Sequence, residues 1–349
     1  MSDQVIPHSR PTLTDSDIEA VIRVLRSGQL SSGPVVSEFE RKFAEYIGQH
    51  HAAATSSGTS ALHLALLALG VGKGDEVIIP SFVCSALLNA VNTTQATPVI
   101  VDIDPQTFNI SVDAVKSSIS RKTRAVIVPH MFGLMAEMEQ LAEFGVPLIE
   151  DCAQSAGAVQ QGQKAGSFGL LSVFSFYATK VLTSAEGGMV LSDSRRLISK
   201  VKDLRDYDDK DNYVLRFNYK MSDVQAALGV SQLASLEGFI NKRKEIAARY
   251  FEEFKDCDFV LPTRKEGREH IYYRFIIKTK REAFSCLEEF EKKKVICRRP
   301  VYRPLHLYSG LRGFANTMEA WTKTVSIPIY PSLTEEEIKK IIAVVREIF

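Results

Sequence analysis

Short, uniformly apolar segments alternate with helical segments up to about residue 195, and this alternation restricts the chain to a layered α/β fold. The strand candidates are Val77–Pro80, Val99–Asp102, Ala125–His130, Pro147–Asp151, Ser172–Phe176 and Met189–Leu191. Helix candidates at Ser60–Leu69, Ser85–Asn92, Asp113–Ser118 and Met135–Phe144 lie between them. Strands that are apolar on both faces need cover on both faces, which predicts a mostly parallel sheet layered by helices. Ligands of such sheets bind beyond the carboxyl ends of the strands. His130, Asp151, Ser175 and Lys180 all fall at or just past those ends.

A long helix is expected from about Ser222 to Phe254, with Ser222 as its N-cap. Beyond it the pattern reads as a smaller α+β unit, with an alternating strand (Ile271–Ile277), a charged helix (Glu282–Lys293), a Pro- and Arg-rich loop (Arg298–Pro304) and a final helix (Thr334–Ile348). The expected division is a large domain over 1–240, including an N-terminal arm over about 1–30, and a smaller C-terminal domain over 241–349. The 43 basic and 42 acidic residues nearly cancel, with no long run of one sign, which argues against nucleic-acid or membrane-surface partners. Residues 1–8 lack the pattern of a secretory signal, and the longest apolar run, Ala61–Leu69, is too short to span a bilayer. An odd count of five cysteines without Cys-x-x-Cys spacing predicts free thiols and a cytoplasmic location. Seven histidines carry no metal-ligand spacing, so no metal site is expected.

Three segments carry chemistry. Ser56-Ser57-Gly58-Thr59-Ser60 opens an apolar helix; taken alone it reads first as a plain N-cap turn, and alternatively as a phosphate seat made of free N–H groups and the helix dipole. Asp151 ends the apolar run Pro147-Leu-Ile-Glu-Asp151, where a charge needs a partner: a salt bridge, a helix end or a ligand. Lys180 closes Ser172-Val-Phe-Ser-Phe-Tyr-Ala-Thr-Lys180, ahead of the Glu186-Gly187-Gly188 turn. Taken singly, it is as readily a surface lysine as an amine whose pKa is lowered by apolar walls. Together, a lysine and a carboxylate at strand ends are the two protein groups that pyridoxal phosphate requires, one to hold the aldehyde and one to keep the pyridine nitrogen protonated. Gln154 and Ser175 are candidates for the ring hydroxyl and the phosphate.

The chain resembles the DegT/DnrJ/EryC1/StrS family of sugar aminotransferases over almost its whole length. The resemblance is carried by Pro7-His-Ser-Arg-Pro11, Gly33-Pro34, Phe39-Glu40, Ser57-Gly-Thr-Ser-Ala-Leu62, Gly74-Asp-Glu-Val-Ile-Ile-Pro80, Glu150-Asp-Cys-Ala-Gln154, Phe174-Ser-Phe-Tyr-Ala-Thr-Lys180, Gly187-Gly188, Asn218-Tyr-Lys-Met221, Gln225-Ala-Ala227 and Pro304-Leu-His306. It implies the type I fold of pyridoxal-phosphate enzymes (aspartate aminotransferase-like) and a homodimer with active sites at the subunit interface. It makes Lys180 the Schiff-base lysine and Asp151 the partner of the ring nitrogen, with Gln154 on the ring hydroxyl. Ser57, Gly58, Thr59 and Ser175 would hold the phosphate, and Asn218 would reach it from the other subunit. Tyr177, His306 and Arg303 are expected on the substrate side, Arg303 in a basic cluster with Arg298 and Arg299 that suits either a diphosphate or a solvated loop. His130 matches a family histidine at a strand end.

Cys84, in Pro80-Ser-Phe-Val-Cys84, stands where the family usually carries an aromatic stacked on the cofactor, a loss worth about 1 kcal/mol. Ala178 replaces a common proline. The expected reaction is ping-pong transfer of an amino group from L-glutamate to a keto-sugar linked to a nucleoside diphosphate and oxidised at C3 or C4, with Lys180 as general base. Two alternatives stand beside it: a sugar dehydratase or deoxygenase of the same fold, whose members typically replace the lysine with histidine, and a non-catalytic regulatory homologue.

Overall fold

The computed structural model describes residues 5–349, so the first four residues of the expected N-terminal arm lie outside the described residues. Seven strands form the central sheet: β1 (His51–Thr55), β2 (Glu76–Pro80), β3 (Thr97–Val101), β4 (Thr123–Pro129), β5 (Leu148–Asp151) and, after a two-residue pair β6 (Val159–Gln160) and β7 (Gln163–Lys164), β8 (Leu171–Ser175) and β9 (Gly188–Ser192). Their order is β1-β9-β8-β5-β4-β2-β3. The β2/β3, β2/β4, β4/β5 and β5/β8 pairs are parallel, whereas β9 is antiparallel to both of its neighbours. Six strands therefore share one direction, and the carboxyl ends of β1, β2, β4, β5 and β8 open on the same side.

Alternating side chains divide cleanly between the two faces, as the pleat requires. Val77, Ile79, Ala125, Ile127 and Val173 pack with Ala61, Leu62 and Leu64 of the helix Gly58–Leu69. Ile78, Val126, Val128 and Phe174 pack with Phe39, Phe43 and Leu236 on the opposite face. The sheet is thus covered on both sides, which is why its strands read as unbroken apolar runs. The long helix Asp223–Glu253 starts as expected, with Ser222 in a capping box with Gln225, and runs unbroken through residue 240. Beyond it, β10 (Phe259–Val260), β12 (Phe275–Thr279) and β13 (Thr324–Ile327) form a small antiparallel sheet, and β11 (Arg268–Glu269) pairs with β6. Ile6 joins the hydrophobic cluster of this second sheet and bridges to Val295, so the N-terminal segment packs against the C-terminal part of the chain.

Several elements depart from expectation for identifiable reasons. The Met135–Phe144 helix shrinks to Met138–Ala142. Tertiary partners take the backbone ahead of it: Leu134 O accepts from Asn109, Met135 O from Arg268, and Ala136 N–H donates to His130 Nδ1. The Ile271–Ile277 strand moves to β12, because Ile271 N–H and Arg274 N–H bond Gly133 O and Phe132 O instead of a ladder, and Tyr272 adopts φ 49°. Strand β1 and the helices Asp15–Ser27, Pro34–Ile47 and Arg195–Leu204 were not anticipated.

Strand β1 is an edge strand held by a buried carboxylate. Glu40, from the helix Pro34–Ile47, accepts from Ala54 N–H at 2.9 Å and pairs with Lys202 at 2.6 Å and Arg205 at 2.5 Å, while Arg205 also donates to Ala54 O at 2.6 Å. The Lys202 arm is exposed and adds little; the Arg205 arm is mostly buried. Glu40→Ala is therefore expected to cost about 2 kcal/mol of stability in urea unfolding, since it leaves a mostly buried guanidinium and a buried backbone N–H without their acceptor. A loss no larger than that of an exposed pair would show that β1 is held by other contacts.

Candidate functional site

The shared carboxyl edge of the sheet borders a cleft of about 250 Å³. Eight of the residues singled out from the sequence line it: Ser57, Gly58, Thr59 and Cys84 on one set of loops, Asp151, Ser175, Tyr177 and Lys180 on the other. Gln154, Asn218, His306 and Arg303 are not among the lining residues. Gln154 Oε1 accepts from Phe132 N–H at 2.9 Å. His306 is buried, hydrogen-bonded to Ser81 Oγ at 2.6 Å and stacked on Phe314. Arg303 lies over Tyr308 and donates to Leu307 O. Asn218 is exposed. Leu62, Leu87, Ala153 and Glu186 also line the cleft and were not assigned to it beforehand: the first three are small or apolar and carry no chemical signal, and Glu186 was read only as part of a turn.

One end of the cleft is a helix terminus. Ser57 caps the helix Gly58–Leu69 in a reciprocal box with Ser60: Ser60 N–H donates to Ser57 Oγ at 3.1 Å and Ser57 N–H to Ser60 Oγ at 2.9 Å. Among the described residues the Gly58 and Thr59 N–H groups have no acceptor, as first-turn donors do when a ligand is their partner. A Cβ on Gly58 would fall 2.8 Å from Ser175 Cβ and 3.2 Å from its Oγ, so only glycine lets the β8 hydroxyl approach this terminus. Gly188 serves likewise: a Cβ there would lie 2.3 Å from Ser57 O. The two glycines admit a compact anion-binding cradle that a side chain would fill.

The other end is acidic. Asp151, 7% exposed, accepts from Ala153 N–H at 3.1 Å through Oδ1, and its Oδ2 has no hydrogen-bond partner among the described residues. Burial pushes its pKa up, against the opposing pull of the Ala153 N–H, Lys180 and His130. Beside it, Glu150 is fully buried and saturated: it accepts from Gly166, Phe168 and Gly169 N–H groups at 2.9, 2.7 and 2.6 Å and from His130 at 2.9 Å. His130 Nδ1 accepts from Ala136 N–H, which places the ring proton on Nε2, facing Glu150. The donor atoms of His130, Glu150 and Cys152 cluster within 4.8 Å, but these internal bonds already occupy the imidazole and the carboxylate.

Between the two ends stand Lys180, which forms no salt bridge among the described residues, and Cys84. Cys84 keeps exposed surface toward the cleft, yet enough protein surrounds its thiol for desolvation, then the Asp151 charge, to raise its pKa and keep it neutral. The cleft can therefore hold a molecule that is anionic at one end, donates a proton to a carboxylate at the other, and presents a carbonyl to an amine between them. With Asp151's native pKa raised, the folded protein without ligand binds more protons than the unfolded chain as pH climbs above the ordinary carboxylate range. Its stability should then fall with rising pH through that window. Melting temperatures of the ligand-free protein across this range should show that fall, and Asp151→Asn should flatten it; identical slopes would contradict a buried, under-compensated carboxylate.

Comparison with known proteins gives the arrangement a relation. The DegT/DnrJ/EryC1/StrS aminotransferase family profile matches residues 11–346. GDP-perosamine synthase of Escherichia coli O157:H7 is 35% identical over 362 residues, covering 99% of this chain and 98% of that protein. The aminotransferase TlmJ from Streptoalloteichus hindustanus superposes with a TM-score of 0.94 at 29% identity, covering 98% of each chain. The putative sugar aminotransferase Spr1654 from Streptococcus pneumoniae, in its PLP form, superposes with a TM-score of 0.93 at 26% identity, covering 99% of this chain and 100% of that one. This chain belongs to the DegT/DnrJ/EryC1/StrS aminotransferase family, whose enzymes work with pyridoxal phosphate.

Proposed function

We propose that the protein transfers an amino group from L-glutamate to a keto-sugar carried on a nucleoside diphosphate, using Lys180 and Asp151 as its chemical groups. The observation that carries this reading is the meeting of Lys180, Asp151 and the Gly58–Ser175 cradle in a single cleft. The free N–H groups of Gly58 and Thr59 and the Ser175 hydroxyl suit the cofactor's phosphate, as does Ser57 in fixing that turn. Asp151 Oδ2, lacking a donor of its own, suits the protonated ring nitrogen. When bound, pyridoxal phosphate supplies an electron sink for negative charge developing at a substrate carbon.

The remaining chemistry belongs to the chain. Lys180 Nζ would hold the cofactor's aldehyde and would serve as the base that takes the proton from the donor's Cα. Asp151 keeps a proton on the ring nitrogen, where a neutral partner would not. Cys84 offers a small, neutral thiol where an aromatic would stack, leaving that face of the cleft more open. Retention of Lys180, the base that transamination needs, favours amino transfer over dehydration or a purely regulatory role.

The acceptor class rests on similarity to GDP-perosamine synthases, which makes guanosine-diphosphate keto-sugars the first to assay. Arg298, Arg299 and Arg303, on the loop before His306, are the candidate diphosphate cations, and Tyr177 the candidate sugar contact. A second copy is expected to complete the site. Asn218 is exposed outside its own chain's cleft, and Tyr213 and Leu215 in the same segment are 94% and 66% exposed. No helix among the described residues is long and apolar enough to cross a membrane, in keeping with a cytoplasmic enzyme.

Borohydride treatment of the loaded protein should attach the cofactor to the peptide bearing Lys180, and Lys180→Ala should abolish formation of 2-oxoglutarate from glutamate with a panel of nucleotide keto-sugars. Label on another peptide, or turnover by Lys180→Ala, would refute the assignment. Gly58→Ala should weaken cofactor binding about tenfold or more in a fluorescence titration, as its Cβ intrudes on Ser175; unchanged affinity would move the phosphate elsewhere.

A further inference from the structure

Two carboxylates line the cleft, and they stand in opposite surroundings. Asp151 is 7% exposed, whereas Glu186 lines the same cleft from an exposed position. The Glu186 carboxylate has no hydrogen bond or ion pair among the described residues; only its backbone groups are bonded.

The turn that carries Glu186 is tightly held. Thr183 and Ser184 are 4% and 0% exposed. Ser184 N–H and Thr183 Oγ1 both donate to Phe176 O, at 2.9 and 3.2 Å, and Phe176 N–H donates to Gly187 O at 2.9 Å. Within the turn, Ala185 N–H donates to Thr183 Oγ1 at 3.0 Å and Ser184 Oγ to Glu186 O at 2.7 Å. Ala185 takes φ 66°, a left-handed conformation that a residue with a Cβ keeps only where its surroundings impose it. Gly187, at φ 153°, has no room for a side chain: a Cβ would lie 2.4 Å from Met221 Cε and 2.6 Å from Ser184 Oγ. Glu186 is therefore presented to the cleft from a fixed point, tied to the residue that separates Ser175 from Tyr177.

With the Gly58–Ser175 cradle assigned to the phosphate, Asp151 to the ring nitrogen and Lys180 to the aldehyde, the polar side chains left along the cleft are Cys84, Tyr177 and Glu186. Of these three, only Glu186 is a carboxylate. An ionised carboxylate accepts hydrogen bonds and cannot donate them, so it favours ligands rich in O–H groups and disfavours ligands that are carboxylates themselves. The two substrates of the proposed reaction differ in that respect. Glutamate brings two carboxylates, whereas the keto-sugar brings ring hydroxyls.

Resting on the reading of this cleft as the site of amino transfer to a keto-sugar, we propose that Glu186 is a specificity-determining residue that binds the ring hydroxyls of the acceptor. It accepts their hydrogen bonds in the sugar half of the ping-pong cycle. In the donor half its charge opposes the lodging of a glutamate carboxylate in the sugar's place. Tyr177, 47% exposed and next in sequence to the anchoring Phe176, lines the cleft with it.

Stopped-flow spectroscopy of the cofactor's visible band separates the two half-reactions in the holoenzyme. The probe is the nucleotide keto-sugar, from the panel above, that the wild type turns over fastest. Glu186→Ala should lower kcat/KM for that keto-sugar about tenfold or more, chiefly as a raised KM. Glu186→Gln, which keeps the shape and one acceptor oxygen, should fall between Glu186→Ala and the wild type. The half-reaction with glutamate should be no slower in either variant. The free nucleoside diphosphate, which lacks the sugar, should inhibit all three proteins alike. Unchanged keto-sugar kinetics in Glu186→Ala, or equal losses in both half-reactions and in nucleoside-diphosphate inhibition, would overturn the proposal. If Glu186→Ala does not fold or take up cofactor, Glu186→Gln decides, and a keto-sugar KM equal to that of the wild type counts against the role. A wild type that releases 2-oxoglutarate but accepts no keto-sugar defeats the sugar reading and this role together. A wild type that accepts the sugar, matched by its Glu186 variants, defeats the role of Glu186 and leaves the sugar reading standing.

Discussion

Glu150 is the buried charge on which the site's geometry depends. It is fully enclosed at the end of β5 and accepts hydrogen bonds from three backbone N–H groups of the 166–169 turn and from His130 Nε2. A carboxylate in an apolar sheet is tolerable only when nearly every lone pair is filled, and these four donors do so. The donors outweigh its burial and hold its pKa below the usual carboxylate value. This ties β4, through His130, to β5 and to the turn entering β8, and the carboxyl ends of β5 and β8 line the cleft. Asp151, one residue on, receives the opposite treatment: a single backbone donor, a raised pKa and one oxygen left for a ligand. Adjacent carboxylates thus divide the work, one fixing the scaffold and the other left short of partners for chemistry.

The same economy governs the opposite end of the cleft. The helix Gly58–Leu69 satisfies its Ser57 and Ser60 groups internally and leaves Gly58 and Thr59 unsatisfied. Gly58 and Gly188 remove side chains where β8, β9 and this helix approach most closely. The resulting cleft is polar where a ligand must be gripped and apolar along Leu62, Leu87 and Val173, which keep water from competing for the donors.

Much of this was legible in the sequence because motif and local structure coincide. Asp151, Ser175 and Lys180 follow apolar runs whose only stable home is a covered sheet, and such strands deliver their carboxyl ends to one side. Ser57-Gly58-Thr59 reads as a helix start with or without a ligand, and only the closeness of Ser175 distinguishes the two. Strand β1 escaped because Ala52, Ala53 and Ala54 have weak strand preference and owe their conformation to β9 and Glu40. The shortened helix before Phe144 and the displaced β12 show distant partners claiming backbone groups that local pattern had assigned elsewhere. Gln154 kept its place in a motif while its side chain turned to Phe132 N–H, a choice no spacing records.

The chain termini contribute to the site by a route that local pattern could not expose. Ile6 bridges to Val295, His8 bonds Arg274, and Arg243 of the long helix gathers the carbonyls of Tyr272, Tyr273 and Ile329. These contacts bring the N-terminal segment, the long helix and the second sheet together around Tyr273, beside Lys180. A displaced N-terminal segment would withdraw His8 from Arg274, and Arg274 would lose its support against the Tyr273 ring. The position of the first few described residues is thereby coupled to the packing around Tyr273. That coupling gives a physical reason for the Pro7–Pro11 motif to lie so far along the chain from the residues it supports.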